Sequence, residues 1–129
     1  MEVETMTIGE MRLEWSKWIN WNDILKFDGR KNTTADVPKG KKGVYEAKYR
    51  CAKKRLTIGK TRDLRKRIVS ELVKGTGSHS AGEKIRRNED VSRIIVRFAP
   101  TDRPSAVEEE LHMRHEKAFG SPPKYVEQT

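Results

Sequence analysis

Between Gly43 and Arg67 the chain alternates, breaks, alternates again and then turns helical, which leaves few folds open to it. Val44, Ala47 and Tyr49 form an apolar run, Arg50 to Lys54 interrupts it with charge, and Leu56 with Ile58 restores a period of two. Two short strands in hairpin register are predicted. Gly59 is placed to end the second strand, and Thr61 or Asp63 to accept the first amides of a helix from about Arg62 to Lys74. Leu64, Ile68 and Leu72 recur every four residues, so one face of that helix packs inward while Arg62, Arg65, Lys66 and Arg67 fan out elsewhere.

A chain of 129 residues makes one small core. Charged residues make up 36% and hydrophobic ones 34%, so that core must be economical. A net charge of +9 and a pI near 9.8 point first to nucleic acid as the partner. No apolar run approaches the roughly 20 residues of a membrane span, so no membrane partner is expected. Glu2, Glu4 and Glu10 give the amino terminus the wrong charge for a signal peptide, and a cytoplasmic location is the expectation. Cys51 is the single cysteine, which excludes an internal disulfide and a cysteine zinc cluster. It reads as a turn residue, because no base partner accompanies it.

Residues 1 to 9 read as unstructured. Trp15, Trp18 and Ile19 fit helical spacing, and Ile24 with Leu25 continues it after a break, so residues 10 to 27 read as one or two short helices. Their three tryptophans serve either as a nucleobase platform or as core that docks on the sheet. Residues 28 to 42 form a basic loop whose Lys41 and Lys42 are candidates for phosphate contact. Gly75 caps the arginine helix, a flexible loop carries His79, and a short helix covers Glu83 to Asn88. Val91 to Ala99 reads as a third, central strand. Asp102 as cap and Pro104 in the first turn start a last helix that Gly120 stops near Phe119, with an extended tail from Lys124. The predicted class is α+β, a three-stranded sheet flanked by helices. A Trp-rich helical extension and loop occupy 1–42, and the main unit 43–129.

Gly43-Val44-Tyr45, Thr57-Ile58-Gly59 and Arg67, in that order, resemble the signature of the GIY-YIG nuclease family: Gly-Ile-Tyr on one strand, Tyr-Ile-Gly on the next, and an arginine on the following helix. Thr57 stands where the family has its second tyrosine, and the asparagine often found after the final Pro-containing stop is absent. Val107-Glu108 followed by Leu111-His112 and then Gly120-Ser-Pro is similar to the family's last helix, on which a glutamate holds a metal. By this resemblance Glu108 ligates Mg²⁺ or Mn²⁺, with Glu109 and Glu110 as register alternatives, and Arg67 steadies the scissile phosphate. Tyr45 handles the attacking water, with help from His79 and Thr57. A guanidinium suits its part, since it forks onto phosphate oxygens and keeps its proton.

The expectation is a metal-dependent endonuclease that hydrolyses DNA phosphodiester bonds, acting on double-stranded DNA. Lys60, Arg62, Arg65, Lys66, Lys41 and Lys42 would grip backbone phosphates. Thr57 and the missing asparagine motivate a rival, a nucleic-acid-binding module that keeps the fold and does not cut. Charge alone supports a third reading, an RNA-binding structural protein. His112 and His115 read as surface residues of the last helix.

Overall fold

The computed structural model describes residues 4–24, 37–77 and 79–126. It is an α+β protein with two antiparallel sheets. A hairpin of β1 (Thr5–Ile8) and β2 (Met11–Glu14) stands beside a four-stranded sheet of β3 (Ile19–Asn20), β4 (Gly43–Tyr49), β5 (Thr57–Thr61) and β6 (Ile94–Pro100), in the order β3-β6-β4-β5. The expected hairpin is present, with Tyr45 opposite Gly59 and Ala47 opposite Thr57. The expected third strand, β6, lies between β3 and β4. The sheet gains its fourth strand because Ile19 and Asn20 pair with Val96 and Ile95.

That pairing belongs to a larger correction: Thr5–Ile8, expected to be unstructured, is a strand, and the one or two short helices expected over residues 10 to 27 are mostly extended chain up to residue 20, with residues 25 to 27 outside the described residues. Met11, Leu13 and Trp15 follow a period of two, and Leu13 and Trp15 are fully buried. Among the described residues of that segment, helix is confined to the single turn α1 (Trp21–Ile24), which buries Trp21 and Ile24. The part of the predicted basic loop from residue 28 to 36 lies outside the described residues.

Alternation along β4 assigns the two faces of the sheet. Tyr45 and Ala47 point to one core with Leu64, Ile68, Leu72, Ile85 and Phe98; Val44 points to the other with Leu13, Trp15, Ile58, Val107 and Leu111. The first face is covered by the arginine helix (Lys66–Lys74) and α2 (Ser80–Asn88), the second by α3 (Pro104–Phe119) and the β1-β2 hairpin. The arginine helix has π-helical geometry, with Gly75 N–H bonded to Ser70 O at 2.9 Å and Gly75 in the left-handed conformation at φ 92°. Two α-helical residues, 64 and 65, precede the π-helical stretch, and ahead of them Asp63 Oδ1 accepts from Lys66 N–H and Thr61 Oγ1 from Asp63 N–H, whereas Arg65, directly before Lys66, makes no side-chain cap bond. At the head of α3 Asp102 makes no cap: Arg103 occupies that position without a side-chain bond, and Pro104 opens the helix.

Strand β5 is a sheet edge, and the chain covers part of it. His112 Nε2 donates to Ile58 O at 3.0 Å, and the tail brings Tyr125 N–H to Leu56 O at 2.7 Å. Glu89 fastens the tail, accepting from Tyr49 Oη on one oxygen and from Lys124 Nζ and Tyr125 Oη on the other, each at 2.6 Å. Neither helical histidine is a surface residue. His115 is buried, with Nε2 accepting from Arg55 N–H and Nδ1 donating to Ser121 O, because α3 lies against the β5 edge.

Candidate functional site

Where β5 ends and the covering stops, an open cleft of about 700 Å³ remains. Five cations line it, Lys42 before β4, Lys60 on β5, Arg62 in the turn, and Lys66 and Arg67 on the arginine helix. Glu108 lines it from α3, together with Asp63, Glu71 and Ser105. The two covering layers therefore meet around the end of the edge strand. Arg67 comes from one face of the sheet and Glu108 from the other. Lys60 Nζ donates to Ser105 Oγ at 3.0 Å, which ties β5 to the first turn of α3.

The three carboxylates of the cleft differ in their engagement. Asp63 accepts from Gly40 and Lys66 amides; burial pushes its pKa up, but donors from Gly40, Lys66 and Arg65 outweigh that and hold it below the usual aspartate value. Glu71 lies 3.2 Å from Arg67 Nε. Glu108 is half-buried and has no hydrogen bond or ion pair with any described residue. Its neighbours in sequence are excluded by register, since Glu109 is exposed and does not line the cleft and Glu110 pairs with Arg114 at 2.8 Å.

The described residues include no cluster of three or more His, Cys, Asp or Glu side chains that could cage a metal. In its usual protein setting Mg²⁺ is shared by one or two carboxylates with substrate phosphates and water. Glu108 is the residue here that would hold it.

Not every predicted residue reaches the cleft. Arg65 turns back, its Nε donating to Val37 O at 2.9 Å, so it braces the chain before β4. Lys41 is exposed and contributes its carbonyl to Leu64 N–H, without lining the cleft. Tyr45, Thr57 and His79 lie beneath the surface, on the face covered by the arginine helix. Tyr45 Oη and His79 Nε2 are 3.0 Å apart, a hydrogen bond whose donor depends on the histidine tautomer. The phenol lies over Gly59, where even a Cβ would strike it. Gly59 thus sits in mid-strand rather than ending it, because Tyr45 fills the space a side chain would take. Thr57 is fully buried, and its hydroxyl has no hydrogen-bond partner among the described residues.

Sequence reasoning missed Glu71. Its signal was legible, since Arg67 and Glu71 are four apart on a helix, the spacing at which opposite charges meet. The tryptophans are not a base-stacking platform in the cleft. Trp15 and Trp21 are buried, and Trp15 and Trp18 flank the Arg97 guanidinium at 4.1 and 4.6 Å from their ring centres. Compared with protein families, curated proteins and solved structures, the chain matches none.

Proposed function

We propose that the cleft binds the phosphodiester backbone of DNA and hydrolyses it with one divalent ion held at Glu108. The observation that carries this reading is the placement of Arg67 and the unengaged Glu108 on the walls of one cation-lined cleft. Each comes from a separate helix. A backbone phosphate seated there meets a guanidinium able to fork onto its oxygens, with Lys42, Lys60, Arg62 and Lys66 around it. These contacts are to charge and not to base edges, so affinity is salt-sensitive and largely neutral to sequence. The ion, when bound, supplies Lewis-acid charge to the phosphate. Arg67 meets the negative charge that grows on the non-bridging oxygens as water attacks phosphorus and the leaving oxygen departs. Tyr45 and His79 serve from beneath, their hydrogen bond tying β4 to the loop before α2. The resemblance of Gly43-Val-Tyr, Thr57-Ile-Gly, Arg67 and Glu108 to the GIY-YIG pattern supports the same assignment.

One observation favours a second reading. Tyr45, Thr57 and His79 are each no more than 1% exposed, so none of them touches a water in the cleft. A module with this cleft would bind duplexes and leave them whole. Supercoiled plasmid with Mg²⁺ or Mn²⁺ separates the two. Nicking or linearisation is expected from the wild type, none from Glu108→Ala, and a rate lower by about 100-fold or more from Arg67→Ala. Plasmid shifted on a gel but left intact by all three would establish the binding module.

A further inference from the structure

Arg67 is held by a carboxylate that a phosphate would have to displace. Its Nε lies 3.2 Å from Glu71 Oε1, and each side chain is between a fifth and a quarter exposed. The distance is that of an ion pair, yet Nε is buried without an aligned hydrogen-bond acceptor. Both residues line the cleft, one helical step apart. Two features follow from this arrangement. The guanidinium is oriented before any ligand arrives, and its charge-assisted hydrogen bonds are incomplete.

We propose that Glu71 is the positioning residue of the cleft, an internal stand-in for phosphate that fixes the Arg67 guanidinium and then yields it to the substrate backbone. The proposal rests on the phosphodiester reading of this cleft. It gives Glu71 two opposed effects. Its carboxylate competes with phosphate for Arg67, which weakens binding; its grip keeps Arg67 in the orientation the transition state requires, which raises the rate of the chemical step. A purely structural residue would move affinity, rate and stability in the same direction.

The test pairs binding with single-turnover chemistry. Fluorescence anisotropy of a labelled DNA duplex with EDTA present is measured for the wild type, Glu71→Gln, Glu71→Ala and Arg67→Ala, and for Glu71→Gln in the Arg67→Ala background. Plasmid nicking with Mg²⁺ and enzyme in excess is measured for the wild type, Glu71→Gln and Glu71→Asp. Glu71→Gln is expected to bind about fivefold more tightly, an effect that vanishes when Arg67 is absent, since a partly exposed charge pair is a modest term. Its nicking rate is expected to fall about tenfold despite the tighter binding, with Glu71→Asp restored to within about threefold of wild type. Glu71→Ala repeats the binding measurement without relying on the amide. Unchanged affinity in both Gln and Ala variants, or equal tightening with and without Arg67, overturns the proposal. Should the wild type not cut plasmid, the nuclease reading fails, and the binding cycle with Arg67→Ala alone decides the pairing of Glu71.

Discussion

The hydrogen atom that serves as the side chain of Gly59 leaves room for a buried phenol. Tyr45 lies directly opposite across the β4-β5 ladder, and its hydroxyl and ring would both meet a Cβ at that position. The ring has nowhere to go, because Tyr45 is fully buried and bonded to His79. Gly59→Ala is therefore expected to destabilise the protein by about 2 kcal/mol, the usual size of an overpacking defect. Denaturant unfolding measures it, and Gly59→Ala/Tyr45→Leu should lose less than the sum of the two single variants, since the clash is shared. At this scale the motif residues were legible as residue types. Their depth was not, because Tyr45 in a strand reads the same whether its hydroxyl faces water or a histidine 34 positions away.

The arginine helix depends on its first turn. Asp63 collects amides from Gly40 and Lys66, and these donors stabilise its charged form. A carboxyl whose folded pKa lies below its unfolded value contributes stability that is complete above the unfolded value, near 4, and is lost as pH falls through the folded one. Asp63→Ala should cost about 1 kcal/mol at neutral pH. The gap between it and the wild type should narrow as pH drops below about 4, which urea unfolding at stepped pH follows; a gap constant down to pH 2 or so would contradict the cap. The helix and its Gly75 stop were readable because apolar spacing and turn chemistry are local. The amino-terminal segment was misread for a related reason. Trp15, Trp18 and Ile19 satisfy helical spacing while Met11, Leu13 and Trp15 satisfy strand spacing, and over so short a window neither period excludes the other. Partners made the choice, Val96 and Ile95 for β3 and the sheet face for Leu13 and Trp15.

Across the whole molecule, a charge network outside the lining of the cleft ties the amino-terminal segment to the sheet. Arg97 and Glu46 sit opposite each other on β6 and β4, both 3% exposed, at 2.8 Å; Glu4 reaches Arg97 at 2.9 Å and Arg55 reaches Glu46 at 3.1 Å. Trp15 and Trp18 flank the guanidinium, so the tryptophans desolvate an ion pair that its partners must then satisfy. Arg97→Ala leaves Glu46 buried with Arg55 as its remaining partner. It should cost about 3 kcal/mol or more in denaturant unfolding, and a loss under about 1 kcal/mol would mean that the network is solvated.

What the sequence alone determined was whatever depends on near neighbours: the hairpin pattern around a basic turn, the arginine helix and its caps, the central third strand, the last helix and its stop, and a charge suited to phosphate. The tertiary structure decided which groups share a surface. Arg67 and Glu108 are 41 positions apart and line one cleft at the end of an edge strand because their helices cover opposite faces of one sheet. Arg65 and Lys41 carry the same charge as their neighbours and miss the cleft, because the side a residue faces is set by packing. Burial likewise removed Tyr45, Thr57 and His79 from the surface. Periodicity and turn chemistry act over a few residues, whereas a cleft is formed by segments distant in the chain, and their approach is fixed by how the two cores fill.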